Sequence, residues 1–176
     1  MTKLDAVVFD WRGTLVTTVS VAAWTGEALG LLGRERDADS VAHVLTAISY
    51  ADGEPSRLEA DDVAETLRWV AAQGCEVAIL SDIHFDLRPA FVAADLDRYV
   101  DEYVLSFECG VQKPDPAIFR AALDALGSRP ERTLMVGDRA SHDGAAVELG
   151  MPTLLVPPLT HPAQRRLDLV RNLVCR

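Results

Sequence analysis

Short apolar segments alternate along the chain with longer segments in which apolar residues recur at helical spacing. Val63, Leu67 and Val70 are spaced as on the buried face of an amphipathic helix. The apolar segments are rich in β-branched residues and nearly continuous, and they occupy 6–10, 76–81, 102–106, 132–138 and 152–157. Such runs are typical of strands buried on both faces of a parallel sheet. The alternation predicts a doubly wound, Rossmann-like α/β fold.

The ends of the predicted helices carry local signals. Asp115 can cap the N-terminus of a helix whose first turn holds Pro116. Gly74, Gly127 and Gly150 each follow a helical segment shortly before the next predicted strand, where a left-handed residue commonly ends a helix.

One stretch interrupts the alternation of strands and helices. Residues 18–59 contain no predicted strand, but they do contain two helical patterns, at about 20–32 and 38–49. We therefore predict an α/β core made of 1–17 and 60–176, with 18–59 as a small helical insertion.

Composition narrows the class of protein. With 176 residues the chain can form one domain with a substantial core, and no apolar run approaches the length needed to span a bilayer. The net charge of −10 argues against partners such as nucleic acid or an anionic membrane. Because no charged-then-apolar leader precedes the first strand, we expect a cytoplasmic location. Three widely spaced cysteines indicate reduced thiols, and Cys109 is expected to be a small core residue.

Polar residues stand where the predicted strands end. In a parallel sheet these ends meet at one edge, where ligands bind. The residues concerned are Asp10, Thr14, Ser81, Asp82, Lys113, Asp138 and Asp143. Carboxylates that converge on one crevice repel one another unless a cation lies among them, and Mg²⁺ is the simplest choice. Lys113 and Ser81 add a positive charge and a hydroxyl that can bind an anionic group. Together these residues predict metal-assisted phosphoryl transfer with an aspartate as the nucleophile.

Four segments in this order resemble the motifs of the haloacid dehalogenase superfamily. FDWRGTL (9–15) resembles the first motif, hhhDxDGT, and ILSD (79–82) resembles the second, a strand that ends in Ser or Thr. QKPDPAIF (112–119) resembles the lysine loop, and VGDRASHDGAA (136–146) resembles the acidic fourth motif. The resemblance covers nearly the whole chain. It implies that the insertion at 18–59 is a shortened helical cap of the C1 type.

The resemblance also implies roles for the residues at the strand ends. Asp10 would be the nucleophile, and Thr14, Ser81 and Lys113 would bind the transferred group. Mg²⁺ would be held by Asp10, Asp138, Asp143 and the main-chain carbonyl of Arg12. The expected substrate is a small phosphorylated metabolite. A shortened cap can leave a site that a neighbouring subunit covers, so a homo-oligomer is a further expectation.

Arg12 departs from the family pattern. Phosphatases of the family carry a second aspartate there, which protonates the leaving oxygen and then activates water. Arginine cannot exchange a proton in this way, and general acid/base catalysis contributes about 10²–10⁴-fold. The sequence therefore leaves three alternatives open: a weak phosphatase, dehalogenase- or phosphonatase-like chemistry at Asp10, or a degenerate protein that binds a phospho-ligand or a partner. Roles for His84, His142 and Arg139 at the rim of the site also remain open.

Overall fold

The structure is a computed structural model that describes residues 3–18 and 61–174, together with Gly30 and Gly33. The strands are β1 (Ala6–Phe9), β2 (Glu76–Ser81), β3 (Glu102–Leu105), β4 (Thr133–Gly137) and β5 (Thr153–Leu155). The α-helices are α1 (Asp61–Ala72), α2 (Arg88–Ala93), α3 (Ser106–Cys109), α4 (Pro116–Leu126) and α5 (Asp168–Val174). Shorter 3₁₀ helices cover Asp97–Tyr99, Pro130–Arg132 and Asp143–Leu149.

The described strands form one parallel sheet in the order β3-β2-β1-β4-β5. The central strand is β1, whose Val7 lies opposite Val77 of β2 and Leu134 of β4. The chain first winds outwards from β1 to β3 and then returns to place β4 on the other side of β1. This reversal opens a crevice at the carboxyl ends of β1 and β4, the position where open α/β sheets bind their ligands.

Alternate residues of each strand enter two apolar cores, one on each face of the sheet. Val7 and Phe9 belong to the core that α1 and α5 cover, whereas Ala6 and Val8 belong to the core that α4 covers. Burial on both faces explains why the strands are almost continuously apolar. The predicted Rossmann-like α/β fold is confirmed.

The local signals for helix ends are also confirmed, with one wrong expectation nearby. The Asp115 carboxylate accepts a hydrogen bond of 2.8 Å from the N–H of Ala117 and so caps α4. Gly127 ends the same helix at a φ of 58°, a left-handed conformation that glycine adopts without a Cβ penalty. Cys109 is exposed and is not a core residue, because it ends the single turn of α3 on the outside of the fold.

The predicted cap at 18–59 lies outside the described residues, apart from Thr18, Gly30 and Gly33. The division of the chain into core and cap therefore stays a prediction. No helix formed by residues 3–18 or 61–174 combines the length and the apolar character that crossing a bilayer requires.

Candidate active site

Asp10 follows β1 directly and begins a tight turn. Its N–H donates to the carbonyl of Val136 at 2.9 Å, which ties the start of the turn to β4. Beyond it, the N–H groups of Leu15 and Val16 both donate to the carbonyl of Trp11, at 2.8 and 3.1 Å. The turn places the Thr14 hydroxyl beside the Asp10 carboxylate, to which it donates at 3.1 Å. We call residues 10–16 the nucleophile turn, since it contains the predicted nucleophile.

Lys113 joins two of the predicted site residues through its buried ammonium group. Its Nζ lies 2.5 Å from Oδ1 of Asp10 and 2.6 Å from Oδ1 of Asp143. Both carboxylates and the ammonium are buried. Because water does not screen this contact, the lysine and the two carboxylates hold one another in a defined geometry.

Three carboxylates meet at the crevice between β1 and β4. Asp10, Asp138 and Asp143 each offer one oxygen, and these oxygens lie within 4.8 Å of one another. Oδ1 of Asp138 is buried and has no hydrogen-bond partner among the described residues. A Cβ on Gly13 would collide with the Asp138 carboxylate, and a Cβ on Gly137 would collide with that of Asp143. Because neither glycine has a Cβ, there is room for the two carboxylates beside them.

Burial and crowding of like charges perturb the pKa values of this cluster. Burial raises the pKa of Asp138 to about 6, and the negative charges of Asp10 and Asp143 add to the rise. Burial also raises the pKa of Asp10, although the Lys113 ammonium opposes this effect. For Lys113 burial lowers the pKa, but Asp10 and Asp143 more than offset it, so its pKa lies above the ordinary value. The lysine is therefore held in its charged form.

The loops that carry these residues are connected by Asp82. Its Oδ1 accepts the N–H of Lys113 at 2.8 Å, and its Oδ2 lies 3.5 Å from a guanidinium nitrogen of Arg139. Asp82 therefore links the end of β2 to the lysine loop and to the loop after β4. Ser81, the last residue of β2, is buried at the same edge of the sheet.

The remaining candidates lie around this cluster. Arg12 is half-buried, and its backbone forms an isolated bridge with Val16. His84 is exposed and lines a surface cavity of about 270 Å³ together with Phe107 and Gln112. The ring of His142 lies 2.9 Å from the Ser141 hydroxyl. Roles for Arg12 and the two histidines stay predictions.

Arg166 contacts the nucleophile turn, and the sequence alone did not identify it as a residue near the site. Its buried guanidinium donates to the carbonyls of Gly13 and Thr14, at 3.0 and 2.7 Å. In the sequence it stands in the polar run QRRLD (164–168), which resembles an ordinary solvated segment. No local signal could have linked it to a turn about 150 positions earlier.

The donor set fits a hard divalent cation. Three carboxylates contribute oxygens to the cluster, one buried ammonium contacts two of them, and Oδ1 of Asp138 is buried without a hydrogen-bond partner in the described part of the chain. Ions such as Mg²⁺ prefer carboxylate and carbonyl oxygens. The residues present therefore suit the metal that the sequence predicts.

Fold and site together define an α/β protein with a carboxylate-rich crevice at the switch point of a parallel sheet. A family model described as haloacid dehalogenase-like hydrolase matches residues 30–150, well over half of the chain. The chain belongs to this family of hydrolases, and the resemblance inferred from the four motifs is confirmed.

Similar proteins include both dehalogenases and phosphatases. The chain is 34% identical over 104 residues to (S)-2-haloacid dehalogenase 4A of Burkholderia cepacia, which covers 58% of this chain and 45% of that protein. It is 40% identical over 72 residues to the phosphoserine phosphatase of Thermus thermophilus, over 40% of this chain and 29% of the phosphatase. These matches span less than half the length of both curated relatives.

Solved structures share the fold. The crystal structure of a HAD-superfamily hydrolase from Ehrlichia chaffeensis aligns with a TM-score of 0.66 and 21% identity. The alignment covers 99% of this chain and 98% of the other. At 21% sequence identity, this similarity supports a shared fold and nothing more.

Proposed function

We propose that this protein is a Mg²⁺-dependent phosphatase that acts on a small phosphorylated metabolite through an aspartyl-phosphate at Asp10. The observation that carries the proposal is the cluster of Asp10, Asp138 and Asp143, in which Oδ1 of Asp138 is buried with no hydrogen-bond partner among the residues that the structure describes. Phosphatases among the similar proteins support the same reaction class.

The metal would be held by Asp10, Asp138, Asp143 and the main-chain carbonyl of Arg12. Bound Mg²⁺ supplies positive charge that offsets the charge on the phosphoryl oxygens. The Asp10 oxygen would attack phosphorus, forming a P–O bond as the bond to the leaving oxygen breaks. Water would then cleave the acyl phosphate, releasing inorganic phosphate and the free carboxylate.

Lys113 and Thr14 prepare Asp10 for this attack. The ammonium at 2.5 Å and the hydroxyl at 3.1 Å contact different oxygens of the carboxylate and so fix its orientation. The same ammonium would contact a phosphoryl oxygen as Asp10 forms its new bond, and Ser81 would offer a hydroxyl. Preorganised charge of this kind lowers the barrier without reorganisation of solvent.

Arg12 sets the expected rate. Arginine cannot give up a proton to the leaving oxygen, so we expect slow turnover that favours substrates whose leaving group needs no proton. An aryl phosphate meets this condition, because its phenolate is a good leaving group.

The decisive experiment measures phosphate release from an aryl phosphate with Mg²⁺ by the wild type, Asp10→Asn and Arg12→Asp. We expect slow release by the wild type, none by Asp10→Asn, and an increase of about 10²-fold in Arg12→Asp, because the new carboxylate can activate the water that cleaves the acyl phosphate. Absence of Mg²⁺-dependent release by both the wild type and Arg12→Asp would contradict the proposal.

A second candidate is hydrolytic dehalogenation, which the 34% identity to the (S)-2-haloacid dehalogenase of Burkholderia cepacia favours. There the Asp10 oxygen would displace halide from carbon, and water would hydrolyse the resulting ester. This chemistry needs no metal, so halide release from a 2-haloacid in the presence of EDTA would select it over the phosphatase. The acidic cluster around Asp138 favours the metal-dependent reaction.

A degenerate binding protein is the third alternative. It would bind Mg²⁺ and a phosphoryl mimic such as fluoroberyllate without turnover in any of the variants above. A cytoplasmic location and a homo-oligomer stay predictions of the sequence.

A further inference from the structure

Arg166 carries a buried guanidinium whose hydrogen bonds, within the part of the chain that the structure describes, all go to neutral carbonyl oxygens. Among the described residues, its guanidinium donates to the carbonyls of Gly13 at 3.0 Å, Pro157 at 2.8 Å and Thr14 at 2.7 Å. Its Nε is buried and has no hydrogen-bond partner in 3–18 or 61–174. Burial lowers the pKa of this group, so placing it here opposes its charge. Because burying a guanidinium is unfavourable, its position here suggests a specific structural role.

The backbone of Arg166 is anchored as firmly as its side chain. Oδ2 of Asp62, in the first turn of α1, accepts the N–H groups of Arg166 and Leu167 at 2.8 and 3.2 Å. The anchor holds the guanidinium against the outer side of the nucleophile turn. A helix in the core and a segment before α5 thus converge on the same turn.

Two of the three carbonyls that Arg166 holds, those of Gly13 and Thr14, belong to residues of the nucleophile turn beside the carboxylate cluster. Thr14 donates its hydroxyl to Asp10, while its own carbonyl accepts from Arg166. Gly13 backs onto the Asp138 carboxylate without room for a Cβ. The Gly13 carbonyl also accepts the N–H of Leu159 at 2.7 Å. The Arg12 carbonyl, which the proposed function assigns to the metal, lies one peptide unit before that of Gly13 in the same turn.

We propose that Arg166 is a positioning residue that orients the nucleophile turn from behind. It holds the Gly13 and Thr14 carbonyls away from the cluster, so that the Arg12 carbonyl and the Thr14 hydroxyl face Asp10 and the cation. The planar guanidinium suits this task because its N–H donors are held in a rigid fork, which gives its hydrogen bonds to the carbonyls a fixed geometry. The inference rests on the proposed metal-dependent function.

The test compares Arg166→Met with Arg165→Met. Arg165 is the neighbouring residue, and its ion pairs with Glu65 and Asp168 lie on the surface. The control therefore removes the same charge from the same segment without touching the nucleophile turn. Mg²⁺ affinity is measured by calorimetry, and amide hydrogen exchange is measured by NMR.

In Arg166→Met we expect Mg²⁺ affinity to fall by about 10–100-fold, the range seen when groups that orient metal ligands are removed. With the aryl phosphate, kcat should fall while KM changes little, because substrate contacts remain. The amides of Leu15 and Val16, which donate to Trp11 within the turn, should exchange faster than in the wild type. Arg165→Met should match the wild type in all three measurements.

If Arg166→Met does not fold, Arg166→Lys serves instead, since its ammonium keeps the charge and part of the hydrogen bonding. We then expect smaller changes in Mg²⁺ affinity, in kcat and in amide exchange. A folded Arg166 variant with wild-type Mg²⁺ affinity and wild-type exchange at Leu15 and Val16 would overturn the inference.

The two proposals fail in different ways. If the wild type binds no Mg²⁺ and releases no phosphate, the proposed function fails, and hydrogen exchange alone decides the role of Arg166. Faster exchange in the turn then supports positioning, and unchanged exchange refutes it. If the wild type binds Mg²⁺ but a folded Arg166 variant matches it both in Mg²⁺ affinity and in exchange at Leu15 and Val16, only the positioning role fails.

Discussion

Replacing Asp138 with asparagine should make the metal-free protein more stable at neutral pH while removing its affinity for Mg²⁺. The Asp138 carboxylate lies beside those of Asp10 and Asp143, and burial raises its pKa to about 6. An ionised carboxylate in this place is therefore unfavourable without a cation. Asparagine keeps the shape of the side chain but carries no charge.

The size of the effect follows from the pKa shift. The pKa rises from 3.8 to about 6, and one pKa unit corresponds to about 1.4 kcal/mol, which sets an upper limit of about 3 kcal/mol. Because Asp138 is partly exposed, solvent screening reduces the expected gain to about 1–2 kcal/mol. A raised pKa stabilises the native state below pH 3.8, and this stabilisation is lost as the pH rises through about 6. The advantage of the variant should appear over that window.

Urea unfolding in EDTA gives the measurement, at about pH 4 and about pH 7.5, on either side of the titration. Asp138→Asn should equal the wild type at the lower pH and exceed it at the higher. Asp124→Asn, at an exposed position of α4, is the matched control and should show no such gain. Saturating Mg²⁺ should stabilise the wild type and leave Asp138→Asn unchanged. A variant less stable than the wild type at the higher pH in EDTA would refute the reasoning.

Two further predictions address the same cluster. Lys113→Met leaves the buried carboxylates of Asp10 and Asp143 without their cation and should cost about 3–5 kcal/mol in urea unfolding. Mg²⁺ should restore part of that loss, and an unchanged midpoint would contradict the buried ion pairs. Gly13→Ala combines a φ of +85° with a collision at Asp138, whereas Gly110→Ala has a similar φ of +70° and open space. Both should lose about 1 kcal/mol from backbone strain, and calorimetry should show weaker Mg²⁺ binding in Gly13→Ala alone.

The elements of the fold were predictable because their signals are local. Continuous β-branched runs identify strands buried on both faces, and the Asp115 cap and the Gly127 terminus identify the limits of α4. The structure shortens several predicted strands at their ends: β5 spans Thr153–Leu155 where 152–157 was predicted. Propensity alone does not define the point where ladder hydrogen bonds stop.

The sequence was enough to name the residues of the candidate site, but not to predict how they are arranged. Asp10, Lys113, Asp138 and Asp143 were each recognisable at the end of a strand or in a loop of familiar pattern. That one ammonium lies between Asp10 and Asp143 follows from how the loops pack, which no residue spacing encodes.

By itself, the sequence determined the five strands, the helices α1 and α4, and which polar side chains stand at the strand ends. These properties depend on periodicity and on capping within a few neighbouring residues. Only the tertiary structure decided that β4 lies beside β1, that Asp82 connects three loops, and that Arg166 donates a hydrogen bond to a turn 152 positions away. Such contacts arise from the order of strands in the sheet and from buried polar groups that must find partners, wherever in the chain those partners lie.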